Sequence, residues 1–107
     1  MLIYGGESII DAVALARSVQ EDVVKWRRDL HAIPELIFDL PKTSKYIRDR
    51  LEEFGIPYRV VAKTGIVGLV EGAKPGPTIA LRADIDAIIQ KEDTGLPFAS
   101  TNDYMHA

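Results

Sequence analysis

Residues Thr78 to Asp86 read Thr-Ile-Ala-Leu-Arg-Ala-Asp-Ile-Asp, an apolar run closed by two aspartates two positions apart. Side chains two apart on a β-strand share a face. If the strand runs to its end, Asp84 and Asp86 sit side by side at its carboxyl end, the region where open α/β sheets bind ligands. Two like charges held close are costly unless a metal ion, an Arg or Lys, or a shared proton lies beside them. The run is apolar without interruption, so a third strand over Thr78 to Ala83 is expected to be buried on both faces. A strand of that kind needs neighbours and covering helices.

The preceding sequence supplies two helices and a hairpin. From Ser8 to Ile33, the residues Ile9, Val13, Ala16, Val19, Val23, Trp26 and Leu30 recur at steps of three or four, which predicts one long helix with a single apolar stripe. Ser8 and Asp11 resemble a capping box. Asp11, Arg17, Glu21, Asp22, Lys25 and Arg28 fall on the solvated side, and Pro34 ends the helix. A second helix starts near Pro41, with Asp39 or Leu40 as cap and Ile47, Leu51 and Phe54 as its buried stripe; Gly55 ends it and Pro57 prevents a restart. Tyr58 to Ala62 and Ile66 to Glu71 read as paired strands around the turn Lys63-Thr64-Gly65. Residues 72–77 form a loop dense in turn residues, and after Asp86 the chain is loop-like, with a turn at Thr94 to Pro97. The predicted architecture is α/β: two helices, then three strands, an incomplete sheet short of covering elements.

Composition narrows the function classes. A chain of 107 residues allows one domain at most. A hydrophobic share of 47% and a charged share of 27% are ordinary for a soluble globular protein. The net charge of −3 comes with no basic block, which argues against nucleic acid as partner. There is no cysteine, hence no disulfide framework and no thiolate metal site. The first seven residues carry no basic stretch and no long apolar run, so no signal peptide is expected there. No apolar run approaches the ~20 residues that span a bilayer. A cytoplasmic location is the default expectation.

Several residues admit two readings. Two acids at a strand end are most often solvated loop acids, and an Asp-x-Asp after an apolar strand also holds manganese in nucleotide-sugar glycosyltransferases. The flanking segments here do not support the latter. His31 and His106 are the only histidines. His31 lies near a helix end, where a structural hydrogen bond is the expectation, and His106 is not assigned to a metal. Trp26 reads as core. Gly65 and Gly68 lack the spacing of a phosphate loop and read as turn and strand packing.

Three segments in order carry a family resemblance. They are Trp26 to Phe38 with Lys42-Thr43-Ser44, then Thr64-Gly65-Ile66-Val67-Gly68, then Leu81-Arg82-Ala83-Asp84-Ile85-Asp86-Ala87 continuing through Thr94 to Ser100 and Met105-His106-Ala107. Over roughly residues 23 to 107 the chain resembles the amino-terminal part of the metal-dependent amidohydrolases of the aminoacylase–carboxypeptidase family, in the branch of hippurate hydrolase, acetyl-diaminopimelate deacetylase and the auxin-conjugate hydrolases. The resemblance implies an α/β sandwich around a mixed sheet, with a smaller inserted domain that often mediates dimerisation. It implies two divalent ions (zinc, manganese or cobalt), a glutamate as general base, and a small N-acyl amino acid or related amide as substrate. By this resemblance Asp86 orients a metal-ligating group, and Asp84 stands where other branches keep a histidine ligand. The remaining ligands are expected after Ala107, in a Cys-Gly-His-Asp motif. The sequence departs from the branch at Asp86-Ala87-Ile88-Ile89-Gln90, where Asp-Ala-Leu-Pro-Ile is usual. The chain by itself is therefore expected to be inactive and to hold no metal pair. The alternative is a non-catalytic module that associates with another chain, or with its own copy, through the unfinished sheet.

Overall fold

A computed structural model describes residues 10–106. Ser8, Ile9 and Ala107 lie outside the described residues, as does the segment before them. The elements are α1 (Ala12–Ser18), α2 (Gln20–His31), α3 (Pro41–Glu53), β1 (Tyr58–Val61) and β2 (Gly65–Gly68). The class is that of an incomplete α/β unit, but with three helices and two strands among the described residues rather than two and three.

The expected single first helix is two. Val19 leaves helical geometry at φ −111° and ψ 5°. The Ser18 hydroxyl donates to the Leu15 carbonyl at 2.6 Å, a local bond that competes with the helical ladder. Val19, β-branched and stiff, follows it. Asp11 caps α1 itself: its Oδ1 accepts the Ala14 N–H at 3.0 Å. The capping-box partner Ser8 lies outside the described residues. The apolar stripe of α1 and α2 is largely open, with Val13, Val19 and Val23 exposed. Trp26 is half-buried and meets the edge of the Phe54 ring at 5.5 Å, so it joins α2 to the end of α3 rather than filling a deep core.

Helix α3 begins and ends where expected. Pro41 occupies its first turn, where its missing N–H costs nothing. Its end is a Schellman arrangement: the Gly55 N–H donates to the Glu52 carbonyl at 3.1 Å and the Ile56 N–H to the Leu51 carbonyl at 2.9 Å. Gly55 sits at φ +66°, the left-handed geometry this cap requires. Leu51 and Ile56 then lie close against Gly68, so α3 rests on β2.

The hairpin is antiparallel, pairing Tyr58 with Gly68 and Val61 with Gly65. Both strands are shorter than expected. Ala62 turns left-handed at φ 47°, as does Lys63 at 71°, which ends β1. Leu69 still donates to the Pro57 carbonyl at 3.1 Å, but Pro57 has no N–H to return, and the ladder stops there. The third strand does not form. Residues 78–83 have no strand or bridge partner, and Ile79 and Leu81 are 83% and 97% exposed. An extended segment becomes a strand only when its backbone groups are paired, and nothing among the described residues pairs this one. The expectation of burial on both faces is overturned with it.

The buried cluster is small: Pro34, Leu40, Thr43, Ser44 and Ala87. It lies at the junction of the α2–α3 connection, the first turn of α3 and the residue just after Asp86. Burying Leu40 is worth ~1.5–3 kcal/mol, and the rest of the junction is held mainly by hydrogen bonds.

Candidate functional site

The connection between α2 and α3 is the hub to which distant segments attach. A helix end leaves carbonyls without intrahelical partners. Just past the end of α2, carbonyls are met from far along the chain: the Thr101 hydroxyl donates to the Ala32 carbonyl at 2.8 Å, and Asn102 Nδ2 to the Pro34 carbonyl at 3.0 Å. Glu35 serves two segments. Its carboxylate accepts the N–H groups of Thr43 at 2.7 Å and Lys42 at 3.2 Å, capping α3 where Leu40 offers no side-chain cap. Its backbone carbonyl accepts the Ala87 N–H at 2.8 Å. That bond pins the residue next to Asp86.

The last segment is fastened in the same way. Ile88 and Met105 exchange both backbone hydrogen bonds, at 2.9 and 3.1 Å. Between them the chain folds back on Glu92. The Glu92 carboxylate takes hydrogen bonds from the Thr94 hydroxyl, from the Ser100 amide and from His31 Nε2. The Thr94 hydroxyl first, and then His31 and the Ser100 amide, hold the Glu92 carboxyl below the usual range against the opposing pull of desolvation. The His31 and Glu92 side chains are 11% and 2% exposed, so water does little to screen the pair. Arg28 lies over the Phe98 ring at 4.7 Å, covering the same loop from the solvent side.

Asp84 and Asp86 stand on this scaffold, but not as two side chains on one strand face. Both are in irregular chain. Asp84 is 68% exposed and paired with Arg82 at 2.5 Å. The positive group beside Asp84 is thus an arginine from the same segment, and an ion pair this exposed contributes ~0–1 kcal/mol. Asp84 and Ile85 border two small cavities. One, of about 200 Å3, is completed by Arg27, Leu30, His31, Thr43 and His106. The other, of about 280 Å3, lies among Ile37, Phe38, Leu40, Ala62, Thr64 and Asp86. Asp84 is therefore common to both, while Asp86 borders the second alone.

His31 has the structural partner expected of it. His106 does have partners within the chain: its Nε2 donates to the Ile85 carbonyl at 3.4 Å, and its ring lies 6.1 Å from that of His31. Glu35, Glu92 and Thr43 were given no role of their own by the sequence. For Glu35 a signal existed, since a helix starting at Leu40-Pro41 lacks a side-chain cap of its own and must borrow one. The Thr43 hydroxyl is buried without a hydrogen-bond partner among the described residues, beside the smaller cavity.

The donor set does not fit a metal centre. Among the described residues no group of three or more His, Cys, Asp or Glu side chains could hold an ion. No helix among them is long and apolar enough to cross a membrane. What the arrangement does is fix the backbone on both sides of Asp86 and bring residues 105–106 back beside it.

Relatives and solved structures share this stretch. No family model matches the chain. An N-acetylcysteine deacetylase from Bacillus subtilis is 49% identical over 88 residues, covering 79% of this chain and 23% of the relative. An N-acyl-L-amino acid amidohydrolase from Geobacillus stearothermophilus is 40% identical over 95 residues, covering 87% of this chain and 26% of the relative. The crystal structure of a dinuclear metal-binding peptidase of the M20 family from Bacillus subtilis superposes with a TM-score of 0.77 at 45% identity, covering 84% of this chain and 26% of that one. The chain thus spans about a quarter of the length of the proteins it matches. In sequence and in fold the chain matches a fragment of the M20 amidohydrolases.

Proposed function

We propose that these 107 residues form the amino-terminal portion of a catalytic domain that hydrolyses the amide of small N-acyl amino acids, the rest of that domain and an inserted dimerisation domain lying outside them. The reading is supported by the names of the relatives, an N-acyl-L-amino acid amidohydrolase and an N-acetylcysteine deacetylase. The observation that carries it is the anchoring of the Asp84–Ala87 stretch, through the Ala87–Glu35 and His106–Ile85 bonds, beside the returning residues 105–106. In this reading Asp86 is a positioning carboxylate, and Asp84 occupies the place of a ligand in other branches. Two divalent ions, zinc, manganese or cobalt, would be held by residues that these 107 do not include. The cytoplasm is the proposed location.

Among the described residues the side chains do not amount to a dinuclear site, and the chain alone is expected to be inactive. The test is hydrolysis of hippurate and N-acetylcysteine by the purified chain with zinc, manganese or cobalt added, together with calorimetric titration of each ion. Neither turnover nor stoichiometric binding of two ions is expected. Chelator-sensitive turnover by the 107 residues alone would overturn the assignment of the ligands to residues outside them.

A second reading has its own support. Ile79 and Leu81 are exposed beside an unfilled sheet edge, which suits a non-catalytic module that docks onto another chain.

A further inference from the structure

Arg27, Leu30 and His31 stand three and four positions apart, so they share one face of the carboxyl end of α2. That face closes the cavity of about 200 Å3 whose other sides are Thr43, from the first turn of α3, then Asp84, Ile85 and His106. Thr43 is 1% exposed, yet its hydroxyl has no hydrogen-bond partner among the described residues. A buried hydroxyl left unpaired is costly, and one beside a cavity calls for a partner held in that cavity.

The charges around the cavity decide the sign of that partner. His31 is bonded to Glu92, and Asp84, largely exposed, is paired with Arg82. His106 gives its Nε2 to the Ile85 carbonyl. Arg27 has neither an ion pair nor a hydrogen bond among the described residues. The lining therefore offers an unpaired guanidinium and an unpaired hydroxyl, and both donate well to a carboxylate. Leu30 and Ile85 add an apolar side, against which a phosphate would turn charged oxygens. A carboxylate with a short alkyl tail suits both sides. At about 30 Å3 for each water-sized atom, a cavity of about 200 Å3 holds about six heavy atoms, the size of butyrate.

We propose that this cavity binds a small monocarboxylate with a short alkyl tail. The carboxylate accepts hydrogen bonds from Arg27 and from the Thr43 hydroxyl, and the tail lies against Leu30 and Ile85. An occupied site ties together the end of α2, the start of α3 and the stretch that carries both aspartates. Every group it uses belongs to this chain, so the site does not rest on the hydrolase reading, and its failure would leave that reading untouched.

The full 107-residue chain is titrated with sodium butyrate at constant ionic strength and followed by NMR of its amide and arginine side-chain N–H groups, with phosphate and chloride titrated in parallel. The expected result is saturable shifts, in the millimolar range, at the Thr43 and Ile85 amides and at the Arg27 Nε–H, with weaker and unsaturated shifts from phosphate and chloride. Thr43→Val keeps the shape of the side chain and removes the hydroxyl. It should weaken butyrate binding by about tenfold, and the melting temperature without butyrate should not fall, because that hydroxyl has no bond to lose. Arg27→Gln, at an exposed position of α2, should weaken binding at least as much, and it carries the test if Thr43→Val does not fold. Three results overturn the proposal: shifts that do not saturate, an equal response to phosphate or chloride, or butyrate binding that both variants leave unchanged.

Discussion

Glu92 shows what one carboxylate can do when its partners come from three places. It joins the end of α2, the Thr94 turn and the Ser100 backbone. Because the Thr94 hydroxyl chiefly, and then His31 and the Ser100 amide, depress its pKa, its contribution to stability is present above its unfolded value of ~4.3. That contribution is lost as pH falls through the lower folded value. Thermal unfolding of the chain should therefore show an acid limb below pH ~4.3, and Glu92→Gln should flatten it while lowering the melting temperature at neutral pH. Ile37 is the opposite case, a residue at odds with its backbone. It sits at φ 55°, and its side chain is exposed. A β-branched side chain in the left-handed region costs ~1–2 kcal/mol, part of which the flexibility of glycine in the unfolded chain gives back. Ile37→Gly should stabilise the chain by ~0.5–1 kcal/mol in denaturant titration. Asp84 and Asp86 drew notice in the sequence because their pattern is local. Glu35 and Glu92 were given no role of their own, since their partners lie seven or more positions away for one and as far as 61 for the other.

At the scale of elements, the ends of α3 differ in how they are secured. The carboxyl end carries its own stop in Phe54-Gly55-Ile56, which is why the sequence could place it. The amino end borrows Glu35. Glu35→Ala should destabilise the chain by ~1–2 kcal/mol, the usual range for a lost N-cap, whereas Glu35→Gln, which keeps an acceptor, should lose less. Urea unfolding followed by far-ultraviolet circular dichroism measures both. The Ala87–Glu35 bond uses the backbone and should survive either change, visible as an unchanged Ala87 amide exchange rate relative to global unfolding. The division at Val19 was hidden from periodicity. Its apolar stripe continues across the break, and only the Ser18 hydroxyl, bonded back to Leu15, interrupts the ladder. The missing third strand was hidden for a different reason: the apolar pattern of residues 78–83 records where the segment belongs, whereas strand geometry requires a neighbour that the described residues do not provide.

At the scale of the whole molecule, the chain exposes more surface than its mass warrants. Its accessible area is 8859 Å2, where a compact monomer of this mass would show about 6000 Å2. Its radius of gyration is 17.0 Å, against about 13 Å for a compact chain of this length. The surplus includes the open stripe of α1–α2 and the exposed apolar side chains of Val67, Leu69, Val70, Ile79 and Leu81. Exposed apolar area of this kind binds hydrophobic dyes, so the purified chain should enhance the fluorescence of anilinonaphthalene sulfonate at neutral pH. A chain that leaves the dye dark would mean that these faces are covered by self-association. One local feature resists the general looseness. The paired bonds between Ile88 and Met105 close residues 89–104 into a ring with a tied neck, and the entropic cost of lengthening such a ring grows only with the logarithm of its size. Evolution can therefore insert or delete residues around Gly95 without moving His106 away from Ile85. Among related sequences, variation in length should accumulate in that ring while the spacing from Asp84 to Ile88 stays fixed.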